Sequence, residues 1–152
     1  AALIHGRPDL FEREFKALDA TRSVQRSWHS NGNLRSEIHY ADGAVYRYQD
    51  HYLNGQLRYA EERGRKDPYF IRMDLYAADG KPISLLSLVD KRKLIFEQKE
   101  YYPGGVLKAM GRSQYDTQRM DSRRIGIWSF YDPSGQLVRE EDHVDGKVHT
   151  TR

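Results

Sequence analysis

Rings and aliphatic side chains recur along the chain at fixed offsets from a series of glycines. The segments Trp28-His-Ser-Asn-Gly32-Asn-Leu34, His51-Tyr-Leu-Asn-Gly55-Gln-Leu57, Tyr76-Ala-Ala-Asp-Gly80-Lys-Pro82, Tyr101-Tyr-Pro-Gly-Gly105-Val-Leu107 and Tyr131-Asp-Pro-Ser-Gly135-Gln-Leu137 align, and their glycines are spaced 23, 25, 25 and 30 residues apart. Each has a ring four residues before Gly and a turn-forming residue one before it, and four of the five have Leu two after. A period in this range marks stacked supersecondary units.

The turn itself can be argued. Pro103 and Pro133 stand two before the glycine, which suits the second position of a type I turn, and Asp132 suits the first. Gly32, Gly55, Gly80, Gly105 and Gly135 then take the left-handed site of a three-residue hairpin loop. This register places the residue at minus four opposite the residue at plus two: Trp28 with Leu34, His51 with Leu57, Tyr101 with Leu107 and Tyr131 with Leu137. A two-residue Asn-Gly turn would instead pair those rings with Arg35, Arg58, Lys108 and Val138, and it explains the prolines less well. Asp42-Gly43, Arg63-Gly64, Asp90-Lys91 and Asp145-Gly146 supply a second set of breakers, while the polar run Tyr115 to Arg124 accounts for the spacing of 30. The expected fold is mainly β: an elongated, twisted antiparallel meander of nine or ten strands built from hairpin repeats.

The first 22 residues break the pattern. Pro8, Leu10, Phe11, Phe15 and Leu18 predict a short amphipathic helix over residues 8–20 that caps the first hairpin. The chain thus reads as a capping segment over 1–22 and a five-repeat sheet over 23–152, one domain overall.

Composition makes the core thin. Leu, Ile, Val and Phe total 32 of 152 residues, near the limit for disorder, but 18 aromatic residues and a net charge of only +3 argue for a folded protein. The longest apolar stretch, Ile83 to Val89, is broken by Ser84 and Ser87 and is too short for a membrane-spanning helix, so a soluble chain is expected. The start at Ala1-Ala2 fits removal of a signal peptide, and also fits loss of an initiator Met or an engineered start. Without cysteine there is no disulfide framework, thiolate nucleophile or cysteine metal site.

Chemistry is sparse. The chain has no Gly-x-Ser-x-Gly, phosphate loop or dinucleotide fingerprint. His5, His29, His39, His51, His143 and His149 include no i, i+4 pair, and Glu61-Glu62 and Glu140-Glu141-Asp142 alternate across two sheet faces. No enzymatic activity, cofactor, metal or small-molecule substrate is expected. Nucleic acid is also disfavoured, because Asp50, Glu61 and Glu62 interrupt the aromatic-basic runs. Arg63-Gly64-Arg65-Lys66, Lys91-Arg92-Lys93 and Arg119 to Arg124 read as solubilising loop tips; aligned along one rim, they would instead meet acidic lipid.

The aromatic-x-x-Asn-Gly-x-Leu pattern, with Glu37 and Glu140 near plus five, resembles the MORN-repeat variant of bacterial YwqK-type antitoxins over about residues 23–149. Ile125-Gly126-Ile127-Trp128-Ser-Phe130-Tyr131 is similar to that family's Gly-x-Trp-x-x-Tyr strand, whereas Pro82 and Met110 depart from the pattern. The resemblance implies an antitoxin or immunity protein that binds a cognate toxic effector. Some relatives sit beside secreted lipase-type effectors, which implies the periplasm, with the cytoplasm as the alternative. The competing reading is a membrane-peripheral or envelope scaffold. Trp28, Tyr101 and Tyr131 are assigned to the scaffold. The expected partner-binding set is Tyr46, Arg47, Tyr48, Tyr52, Arg58 and Tyr59, with Tyr46, Tyr48 and Tyr52 on one strand face and Arg47 on the other.

Overall fold

All five repeat glycines adopt positive φ, between 88° and 91°, in the computed structural model, which describes residues 13–64 and 69–152. In the first repeat the Gly32 amide donates to the His29 carbonyl at 3.0 Å and the His29 amide to the Asn33 carbonyl at 2.8 Å, which defines the three-residue loop. The same closure recurs around Gly55, Gly105 and Gly135. All four expected ring-to-leucine pairs form, so the two-residue alternative is excluded. Repeat three keeps the bond from the Gly80 amide to the Ala77 carbonyl, at 2.9 Å, with Pro82 as the first residue of the strand that follows. Repeat four differs in detail: Gly104 also has positive φ, 102°, so Pro103-Gly104 forms a type II turn rather than type I.

The chain divides into two units. Residues 1–80 hold β1 (Arg13–Ala17), β2 (Arg22–Trp28), β3 (Leu34–Ala41), β4 (Ala44–His51), β5 (Leu57–Arg63) and β6 (Phe70–Tyr76). Each strand pairs antiparallel with its neighbours in chain order. Val24, Ala41 and Ala60 are the buried apolar residues, joined by the buried polar residues Ser27, Asp50 and Asp74. Residues 81–152 hold β7 (Pro82–Asp90), β8 (Ile95–Tyr101), β9 (Leu107–Asp116), β10 (Asp121–Tyr131), β11 (Leu137–Val144) and β12 (Lys147–Thr151), again a meander in chain order.

In the second unit one sheet face is filled. Phe96, Ala109, Ser113, Trp128 and His143 are all buried, and Trp128 is fully so. Between Ile125 and Ser129 the β10 register shifts against β9, and Trp128 lies directly over Gly111, where an added Cβ would fall 2.3 Å from the indole. The indole Nε1 donates to the Arg112 carbonyl at 2.9 Å, and the Arg124 guanidinium stacks 4.3 Å from the ring.

Two expectations need correction. There is no helix among the described residues. Arg13–Ala17 is a strand pairing with β2, and Phe15 is 68% exposed rather than packed. The physical reason is the edge: a strand gives β2's outer N–H and C=O groups hydrogen-bond partners, whereas a helix laid along that edge supplies none. Asp19 closes the turn by accepting from the Thr21 and Arg22 amides at 2.9 and 2.8 Å. Pro8, Leu10 and Phe11 lie outside the described residues. Among the described residues there are twelve strands, not nine or ten. Besides β1, the polar run 115–124 is mostly strand: β9 and β10 extend to 10 and 11 residues, and Asp116 accepts from the Gln118 and Arg119 amides in the turn between them.

Candidate functional site

The turns are tied to one another by side chains. Residues three before the glycine reach the main-chain carbonyl at minus four of the following repeat: His29 Nε2 to the His51 carbonyl at 2.9 Å, the Tyr52 hydroxyl to Tyr76 at 2.7 Å and the Tyr102 hydroxyl to Tyr131 at 2.8 Å. Asn31 and Asn54 donate likewise to Leu53 and Ala78, each at 2.8 Å. Ala77, at the corresponding position of repeat three, has no side-chain donor.

Between these turns and the middle of the first sheet lies a groove of about 650 Å³. Its lining comes from β1 to β5 and from the turns carrying His29 and Tyr52, so it runs across the strands. Polar pairs make its floor. Ser27 and Ser36 Oγ atoms are 2.5 Å apart, and the next equivalent position holds Asp50, 8% exposed and paired across the strands with Tyr59. Arg58, the extra residue at the β4–β5 register shift, folds back to hydrogen-bond and ion-pair with Asp50, which raises the guanidinium's already high pKa. Ile38 and Tyr48, cross-strand partners, form the apolar wall.

The structure brings together part of the expected contact set. Tyr48, Tyr52 and Arg58 line the groove. Tyr59 sits beside it, with its ring centroid 6.1 Å from that of Tyr48 and its hydroxyl donating to Glu61 at 2.9 Å. Burial first, then the hydrogen bond to Glu61, pushes the Tyr59 phenol up to about 12. Burial also raises Tyr48, aided by the nearby Asp50 charge. Tyr46 does not share their face. The register shift between His39 and Tyr40 turns it to the opposite side, where its ring packs edge-on against His39 at 5.9 Å. Arg47 lies on that side too, 3.3 Å from Glu62. Tyr52 combines groove lining with the inter-turn hydrogen bond to Tyr76.

The sequence reading missed Ser27, Ser36, Ile38, Asp50 and Arg35 in this lining. The signal was present: Ser27 and Asp50 both stand five before a repeat glycine, and Ser36 and Tyr59 both stand four after one.

Two arginines of the third basic run are ion-paired. Arg123 pairs with Asp145 at 2.9 Å and Asp121 at 3.4 Å, and Arg119 with Asp145 at 3.4 Å and Asp116 at 3.7 Å. Arg65 and Lys66 lie outside the described residues. Among the described residues, no group of three or more His, Asp or Glu is placed to hold a metal ion, and no helix is long and apolar enough to cross a membrane.

Hairpins of one register, stacked in chain order and locked turn to turn, define a repeat-built β scaffold. The family model described as MORN repeat variant matches residues 24–42 and 124–145, which are the first and last of the five repeats, and supports a MORN-repeat family for the chain. Such repeats suggest a scaffold for protein interaction or membrane association. No curated protein matches the chain.

Proposed function

We propose that this chain is an antitoxin or immunity protein, which neutralises a bacterial toxic effector by direct stoichiometric binding and without catalysis or cofactor. The observation that carries the reading is the groove of the first unit, a concave site walled by tyrosines and arginines, the side chains that dominate protein interfaces. The motif resemblance supports the YwqK-type assignment, a periplasmic setting and a secreted lipase or phospholipase as the class of effector. The internal pairing of Arg119 and Arg123 favours this reading over a membrane-surface scaffold, because paired charges attract anionic lipid less.

The test is protection of cells producing the effector encoded beside the gene. Tyr48→Ala is expected to abolish protection while leaving the strand signature in circular dichroism unchanged. Tyr46→Ala, on the opposite face, is expected to retain it. Full protection by a folded Tyr48→Ala protein, or binding to anionic vesicles with no capture of that effector, would sink the antitoxin reading.

A further inference from the structure

Two rows of side chains cross the strands on the groove face. In the first, Ser27 stands opposite Ser36 and Ser36 opposite Asp50; in the second, two residues along each strand and about 7 Å away, Gln25 stands opposite Ile38 and Ile38 opposite Tyr48. The first row is polar and has hydrogen-bonding capacity left over. One serine hydroxyl donates to the other, which keeps one O–H for a further acceptor. Asp50 is 8% exposed, and Arg58 holds its Oδ2, while Oδ1 has no hydrogen-bond partner among the described residues. A carboxylate oxygen without a donor, on a buried residue that lines a groove, calls for a donor from a ligand. The second row is apolar at its centre, through Ile38 and the Tyr48 ring. The charges of the lining are already engaged: Arg58 is ion-paired with Asp50, and Arg13 and Arg35 have interactions of their own. An ionic ligand has to displace these contacts, whereas an uncharged one leaves them in place.

We infer that the groove binds an uncharged saccharide, with a pyranose ring laid on Ile38 and Tyr48 and its rim hydroxyls over the row of Ser27, Ser36 and Asp50. This goes beyond the antitoxin reading and does not rest on it. A pyranose carries C–H groups on its faces and hydroxyls around its rim, so it offers an apolar side to an aromatic ring and both donors and acceptors to a neighbouring polar row. Each hydroxyl can donate and accept at once. Adjacent hydroxyls therefore match the edge of the Asp50 and Arg58 pair, one donating to Oδ1 and the next accepting a guanidinium N–H, with the ion pair intact. The groove, about 650 Å³, lies within the roughly 300–1,000 Å³ usual for small-molecule sites and has room for a disaccharide.

The test is isothermal titration calorimetry of the full chain with maltose, cellobiose, lactose and N,N′-diacetylchitobiose. At least one is expected to bind saturably with a Kd of about 1 mM or tighter, and its affinity to change by less than about twofold as salt is raised. Asp50→Ser, which installs the residue that Ser27 supplies at the same place in the first repeat, is expected to weaken binding by at least about tenfold. Ser36→Ala, a milder change, keeps the test open if Asp50→Ser fails to fold, and is expected to weaken binding about two- to tenfold. Arg47→Ala, on the opposite face, leaves it unchanged. No saturable binding of any of the four sugars, no effect of either groove variant in a folded protein, displacement of the sugar by millimolar inorganic phosphate, or affinity that falls steeply with salt would each overturn the inference. Saccharide binding that depends on Ser36, in a protein that does not protect against its neighbour's effector, would keep this inference and discard the antitoxin reading. Protection without saccharide binding would do the reverse.

Discussion

In the first unit, the positions five before and four after a repeat glycine hold Ser27 with Ser36, then Asp50 with Tyr59. In the second they hold Glu100 with Ala109, then Phe130 with Arg139. The backbone registers are the same, since each turn is followed by the same one-residue shift. What differs is the filling. Gly111 leaves room for Trp128, which covers the face of the second unit, whereas the first unit has Ile38 and Gln25 paired on the equivalent face beside a groove. The comparison teaches that turn and ladder set this fold without a large core. The face is therefore free to be packed in one repeat and left open in another.

Five substitutions test that contrast. Trp128→Ala is expected to give the largest loss, about 3–5 kcal/mol, because it empties a large, fully buried ring; chemical denaturation measures it, and a loss below about 1 kcal/mol would mean the filled face contributes no more than the open one. Next come two glycines. Gly111→Ala drives a methyl into the Trp128 indole, and Gly105→Val forces a β-branched residue to φ +91°. Each is expected to cost about 1–3 kcal/mol in the same assay. Tyr52→Phe and Tyr102→Phe remove equivalent inter-turn hydrogen bonds, one in each unit, and should cost about 0.5–1.5 kcal/mol apiece. Similar losses in melting experiments would show that the lock is common to both units even though the filling is not.

The smallest effect is one of pH. Burial raises Glu37, but hydrogen bonds from Arg26 and His39 outweigh it and hold the carboxyl below its ordinary value of 4.5. A depressed folded pKa means stability that is fully present above the unfolded value and lost as pH falls through the folded one. Glu37→Gln should therefore lower stability at neutral pH and flatten its decline below about 4.5, as followed by melting temperature across pH.

The hairpins were legible because proline, glycine and the ring-to-leucine pairing all act within seven residues of chain. What escaped depended on neighbours further off. Whether Arg13–Ala17 forms helix or strand was decided by the open edge of β2, which periodicity within residues 8–20 does not contain. The facing of Tyr46 was misread for one reason: strict alternation puts it beside Tyr48, but a single extra residue in β4 reverses the face of everything before it. Asp50 was used only as an interruption of basic runs, although its place five before Gly55 is the one Ser27 occupies before Gly32.

The side-chain lock between successive turns bears on how such a chain can lengthen. His29, Tyr52 and Tyr102 each donate forward, to a carbonyl contributed by the repeat that follows. A duplicated repeat therefore brings its own donor and its own acceptor. Inserted between two others, it receives the bond from the repeat behind and passes one to the repeat ahead, so no polar group is stranded. The array is extensible in genetic terms, one hairpin at a time, and the third repeat, with Ala77 at the donor position, shows that the turn around Gly80 forms without that side chain.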